Sequence, residues 1–226
     1  MRCSGAAEAS IPAFDVLFRF LDAPPPHTIA IAEIHHGCLA GRAHAMKTDA
    51  VTIRRLERVD AACIRGLADV LIDCVEGGAS VSFMLPLTRE RAEAFWRDVA
   101  RGVDSGARAI LVAEDGAGIC GTVQLVLAQP ENQPHRADVA KMLVHRRARR
   151  SGVGAALLQA IEAVARDCGK TLLVLDTVTG GDAERLYRRL GWVSVGSVPN
   201  FALYPAGGFC ATTFFYRDLA PAPDVS

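Results

Sequence analysis

The run at residues 171–178, TLLVLDTV, is apolar at successive positions rather than at alternate ones. A strand of that kind has two faces to bury, so it belongs inside a sheet covered on both sides. Hairpin sandwiches leave one face of each sheet wet; helices packed on both faces do not. The neighbouring sequence supplies such helices. Upstream, Val153, Leu157, Leu158, Ile161, Val164, Ala165 and Cys168 recur at helical spacing, and Gly169 ends the period. Downstream, GDAERLYRRLGW predicts a short helix with Asp182 near its start and Gly191 at its end.

The chain from Met46 onward extends this pattern. A strand over 50–56 leads to a helix capped by Asp60, with Ala61, Ile64, Leu67, Ala68, Leu71, Ile72 and Val75 on its apolar face. EGGAS ends that helix, with Gly77 or Gly78 able to take a left-handed cap. A second helix after Thr88 is expected to bury Ala92, Phe95, Trp96 and Val99. RAILVAED and ICGTVQLVLA share DGAG, which reads as a hairpin, and ADVAKMLV is a third strand beyond a polar loop. WVSVGSV and TTFFYRD predict two last strands across a loop holding Pro199, Pro205, Gly207 and Gly208. The order is strand, two helices, three strands, helix, strand, helix, two strands: one mixed-sheet α/β domain over 46–220, with about seven strands and four helices.

Residues 1–45 hold no sustained period, and PPP interrupts them at 24–26. They are expected to be an extension outside the fold, or the product of a start codon assigned too far upstream; residues 221–226 form a tail. The leader contains EIHHGC, so Glu33, His35, His36, Cys38 and His44 are competent metal ligands. Adjacent histidines on an extended chain point to opposite sides, and no helical i, i+4 pair occurs, so no metal site is expected.

Composition removes several classes. The formal net charge is zero, unlike the positive excess of a general nucleic-acid binder. Seven cysteines are scattered and never spaced C-x-x-C, which fits neither a disulfide framework nor a thiolate zinc site. Buried thiols in a reducing compartment are expected instead, and with neither a membrane-length apolar run nor a signal peptide the expected address is the cytoplasm.

VHRRARRSGVG, residues 144–154, can be read as a basic patch for nucleic acid or as an anion-binding turn. It follows a strand and opens a helix, where backbone N–H groups lack partners and the helix dipole favours an anion. Gly152 and Gly154 let a diphosphate approach the main chain, while Arg149 and Arg150 stand beside it. The spacing is neither a dinucleotide fingerprint nor an ATP phosphate loop.

MLVHRRARRSGVGAALL resembles the coenzyme A-binding motif of the GNAT N-acetyltransferase superfamily, L-x-V-x-P-x-x-R-x-x-G-x-G. Val144, Arg149, Gly152 and Gly154 match; Met142 replaces the leucine and Arg146 the proline. AERLYRRLGW resembles the family's fourth-helix signature, and the order of elements agrees from about residue 50 to 219. EGGASVSFM, HRADVAKMLV and LDTVTGGDAERLY are similar to stretches of the tabtoxin resistance protein group, whose members acetylate a small amine with acetyl-CoA.

The resemblance implies a GNAT-like fold, acetyl-CoA as co-substrate with no metal, and transfer by direct attack on a small-molecule amine. It implies that main-chain groups of Met142, Leu143 and Val144 pair with the pantetheine arm. N–H groups across Arg149, Arg150, Ser151, Gly152, Val153 and Gly154 would hold the diphosphate. Tyr187 takes the place of the family's helix tyrosine and is the candidate acid, its phenol titrating ordinarily at about 10. Asp176, at the end of the LLVLD strand, is the candidate base, with Asp138 as a rival; buried packing for the tyrosine and simple solvation for either carboxylate remain open. The family often carries an asparagine where this chain has Gly180. The acceptor wall is expected from EGGASVSFM and VPNFALYPAGGF, with Gln124 facing the cleft. Neither nucleic acid nor membrane is expected as a partner; the sequence leaves the oligomeric state open, though a homodimer through strand exchange or edge pairing is common in folds that resemble this one. Acetylation of a protein or peptide, and a non-catalytic acyl-CoA sensor, are the competing functions.

Overall fold

The structure is a computed structural model that describes residues 51–219. The expected leader, its EIHHGC cluster and the tail lie outside the described residues. The elements run β1 (Thr52–Arg55), α1 (Ala61–Glu76), α2 (Arg89–Asp104), β2 (Arg108–Asp115), β3 (Gly118–Val126), β4 (Arg136–Val144), a single 3-10 turn (Arg146–Ala148), α3 (Val153–Asp167), β5 (Leu172–Val178), α4 (Asp182–Arg189), β6 (Val193–Leu203) and β7 (Phe209–Asp218). This is the expected order of seven strands and four helices.

Local chemistry sets most boundaries. Asp60 accepts a hydrogen bond from the Cys63 N–H at the start of α1, and Thr88 accepts one from the Arg91 N–H at the start of α2. Gly78, rather than Gly77, takes the left-handed conformation after α1, with φ 87°. The two closing strands are longer than their sequence suggests. β6 runs through Pro199 to Leu203 with a bulge between Val198 and Ala202, leaving only residues 204–208 as the turn. Proline is tolerated there because β6 is the sheet edge, where one row of N–H groups needs no strand partner.

The sheet order is β1-β2-β3-β4-β5-β7-β6, antiparallel everywhere except at the β4–β5 pair. One core lies under α1 and α2 and includes Leu67, Leu71, Trp96, Ile110, Val112 and Leu143. The other lies under α3 and α4 and includes Leu125, Leu157, Leu158, Ile161, Leu173, Leu175, Tyr187 and Phe215. TLLVLDTV forms β5 between them. Its cover is uneven: Leu173 and Leu175 are buried, whereas Asp176 is exposed, because α1 and α2 cover β2–β4 rather than β5.

Candidate active site

Two distortions of β4 create the site. The β3–β4 register shifts between Thr122 and Gln124, opposite residues 140–143, and Lys141 there has φ 49°. β4 and β5 pair only through Arg136–Leu172, Ala137–Leu173 and Asp138–Val174. Beyond that register β5 continues along β7 while β4 continues along β3, and the parallel pair splays apart. A groove of about 1050 Å³ opens between them. Met142, Leu143 and Val144 line one wall; Thr177, Val178 and the start of α4 line the other. The loop after α1 and Tyr204 also border it.

The floor of the groove is the turn into α3. Arg150 and Gly152 both lie in the left-handed region, with φ 62° and 87°. No side chain caps α3, so its first amides remain available for an anion. The two glycines serve different ends. A Cβ at Gly152 would meet nothing within 4 Å, so that position faces open groove and needs glycine for its backbone angle. A Cβ at Gly154 would come within 3.0 Å of Leu186, so that glycine permits close packing of α3 on α4. Ser151 turns its hydroxyl inward onto the Ala148 carbonyl at 2.7 Å, and Val153 is buried in the core beneath α3.

The arginine run divides into separate tasks. Arg146 is tied to Asp73 and Arg147 to Asp115, so neither belongs to a continuous basic footprint. Arg149 donates from Nε to the Val144 carbonyl at 3.0 Å, folding over the end of β4. Arg150 lines the groove without an ion pair among the described residues, as does Arg189 on α4. Arg185 and Arg189 were not singled out in the sequence. Their i, i+4 spacing on a short helix was the available signal, but only the splay of β5 turns that helix toward the groove.

The titratable residues sit apart. Tyr187 is 4 % exposed and packs against Trp192 and Phe215, with ring centroids 5.8 and 5.9 Å away. Burial pushes its phenol well above the ordinary value, and the charge of Asp176 pushes the same way. Leu173 and Leu175 share the Tyr187 core, so Asp176, alternating with Leu175 along β5, projects from the opposite face. As a residue it is exposed. Desolvation raises its pKa, Lys141 opposes the rise and Asp138 adds to it. Asp138 itself is engaged by Arg136 at 3.3 Å and accepts a hydrogen bond from the Gln129 amide at 3.2 Å. Gln124 does not line the groove: it is fully buried and accepts from Arg108 Nη1 at 3.2 Å, because the β2–β3 register sets it opposite Ile110, on the face covered by α1 and α2.

Both segments expected to form the acceptor wall meet. Ser80 donates to the Leu203 carbonyl at 2.7 Å, and the Leu85 N–H donates to the Pro205 carbonyl at 2.9 Å. The loop after α1 is thereby bound to the β6–β7 turn. Among the described residues, no cluster of three or more His, Cys, Asp or Glu side chains could hold a metal, and no helix is long and apolar enough to cross a membrane.

A family model described as an acetyltransferase (GNAT) domain matches residues 106–194. An uncharacterized N-acetyltransferase from the hisH-hisA intergenic region of Azospirillum brasilense is 30% identical over 128 residues, covering 56% of this chain and 74% of the relative. Among solved structures, an N-acetyltransferase from Staphylococcus aureus Mu50 superposes with a TM-score of 0.63 at 17% identity, covering 76% of this chain and 99% of its own. A GCN5-related N-acetyltransferase from Kribbella flavida gives 0.62 at 25% identity, covering 75% and 98%. The yncA protein of Salmonella typhimurium, solved with its cofactor acetyl-CoA, gives 0.62 at 20% identity, covering 78% and 99%.

Proposed function

Because the chain belongs to the GNAT acetyltransferase family, we propose that it transfers the acetyl group of acetyl-CoA to a primary amine of a small molecule. One observation carries this reading: the free edges of β4 and β5 border a groove that ends on an uncapped helix start, beside two arginines without ion pairs. An extended arm ending in a diphosphate fits that shape and charge. The Salmonella relative solved with acetyl-CoA supports the same ligand.

Acetyl-CoA supplies the activated acetyl group. The chain's residues bind and orient it and manage the protons. Met142, Leu143 and Val144 offer main-chain groups to the pantetheine arm, and the amides from Arg149 to Gly154 hold the diphosphate with Arg150 and Arg189 alongside. An alkylammonium must lose a proton before it can attack. Asp176 suits that step better than Asp138, because desolvation raises its pKa while Asp138 is engaged by Arg136. Tyr187 keeps its proton throughout the neutral range and serves as a donor toward the departing thiolate.

The tabtoxin-resistance-like stretches and the closed-over loop after α1 support a small acceptor over a protein chain. Five free cysteines among the described residues support a reducing compartment such as the cytoplasm. The outer edge of β6, with Val195 70 % exposed, is the surface on which a second copy would pair. The test is thermal stabilisation by acetyl-CoA, followed by thiol release across a panel of amines. Stabilisation with thiol release is expected. Stabilisation without turnover on any amine would leave a coenzyme sensor, and absence of both would remove the reading.

A further inference from the structure

Three segments continue past the inner end of the groove, each by one residue. Val81, Met142 and Thr177 line it, and Ser82, Lys141 and Asp176 are their immediate neighbours. Ser82 and Lys141 are two of the four non-glycine residues with positive φ among the described residues, at 76° and 49°. Their side chains meet: Lys141 Nζ donates to Ser82 Oγ at 3.2 Å. Left-handed backbone at a residue with a Cβ costs free energy and persists where the surroundings enforce it, most often at ligand sites.

The lysine's remaining partners are incomplete for a cation. Its Nζ stands 5.6 Å from the centroid of the Phe95 ring, and no carboxylate forms an ion pair with it among the described residues. A hydroxyl and a ring face replace only part of the hydration that an ammonium loses on leaving water. Burial lowers the Lys141 pKa; Asp176 counters that effect and Arg108, a second cation nearby, adds to it. Such a charge is completed by an anion arriving from outside. Asp176 supplies the opposite charge across the cleft without joining Lys141 in an ion pair.

We propose that Lys141 and Ser82 form an anion subsite in the acceptor cleft, so that the acceptor carries a carboxylate or similar oxyanion close to its reactive amine. The ammonium of such a zwitterion faces Asp176 and its oxyanion faces Lys141, which orients the nitrogen before it attacks. Phe95 holds the lysine from the α2 side, and Ser82 gives the oxyanion a hydroxyl as second donor. This assignment rests on the acetyl transfer proposed above and specifies its substrate class.

The experiment measures kcat/KM for thiol release on matched acceptors: free amino acids, their carboxamides and the corresponding decarboxylated amines. Wild-type protein and Lys141→Met are compared, with acetyl-CoA stabilisation measured in parallel. Wild type is expected to prefer the free carboxylate by roughly 10- to 100-fold, the range set by one charge-assisted hydrogen bond. Lys141→Met is expected to erase that preference by losing rate on the carboxylates alone, with acetyl-CoA stabilisation unchanged. Equal rates on all three forms in wild type would overturn the subsite while leaving the acetyl transfer standing, and that comparison holds even if the variant does not fold. An undiminished preference in Lys141→Met would also overturn it. Turnover of no amine at all would remove the transfer reading and the subsite together.

Discussion

Asp73→Asn isolates the contact that fixes the chain ahead of the glycine turn into α3. Asp73 lies on α1, 7 % exposed, and its carboxylate accepts from the Arg146 backbone N–H at 2.8 Å and from Arg146 Nε at 2.7 Å. His145 Nε2 is 3.4 Å away. These contacts clamp the chain leaving β4 to α1 immediately before it turns into α3. Burial alone would raise the Asp73 pKa, but the hydrogen bonds from Arg146 outweigh it and hold the carboxyl below its ordinary value of 3.8. The backbone bond is part-buried, and a hydrogen bond to a charged group contributes about 1.5–3 kcal/mol. The Arg146 side chain is 54% exposed, so its share is discounted toward the roughly 0–1 kcal/mol of a surface pair. An amide keeps the shape but loses the charge, giving an expected loss of about 2 kcal/mol, or about 4–8 °C in Tm for a domain of this size. The contribution of a carboxylate whose folded pKa is depressed is complete above the unfolded pKa and lost as pH falls through the folded one. The gap between wild type and variant should therefore be full at neutral pH and close below the ordinary aspartate value. Denaturant unfolding at a series of pH values measures it, and acetyl-CoA stabilisation should weaken in the variant. A gap independent of pH, or an unchanged midpoint at pH 7, would refute the reasoning.

On the donor role proposed above Tyr187→Phe should lower turnover, and because Tyr187 does not line the groove it should leave acetyl-CoA stabilisation intact; single-turnover thiol release checks this. Gly152→Ala forces a Cβ onto φ 87° and should cost roughly 1–2 kcal/mol of stability. It should also weaken acetyl-CoA binding through the displaced turn, read by calorimetric titration. Asp176→Asn should raise Tm at neutral pH while reducing thiol release, because a carboxylate with a raised folded pKa stabilises only while protonated and works against folding once ionised. On the edge pairing proposed above, wild type should be a dimer by light scattering and Val195→Lys on the β6 edge a monomer.

Much of this was legible in the chain because it is written locally. Asp60 caps the helix it was expected to cap, the second helix starts after Thr88 as expected, and DGAG closes the β2–β3 hairpin, since each depends on residues a few positions apart. The glycine turn was readable for the same reason: a strand, a Gly152 able to take φ 87° and a helical period stand within one short stretch. β6 shows the limit. Pro199 looked like a strand end, and only its place at the sheet edge makes it admissible within the strand.

By itself the sequence determined the order of elements and the glycine turn into α3, because periodicity, caps and positive-φ glycines act over one or two helical turns. Tertiary structure decided what surrounds that turn. The parting of β4 from β5, the pairing of Arg146 with Asp73 and Arg147 with Asp115, the burial of Gln124 opposite Ile110 and the meeting of Ser82 with Lys141 all join residues distant in the chain. No local pattern encodes those contacts, since each depends on which strand a residue pairs with and which face it then presents.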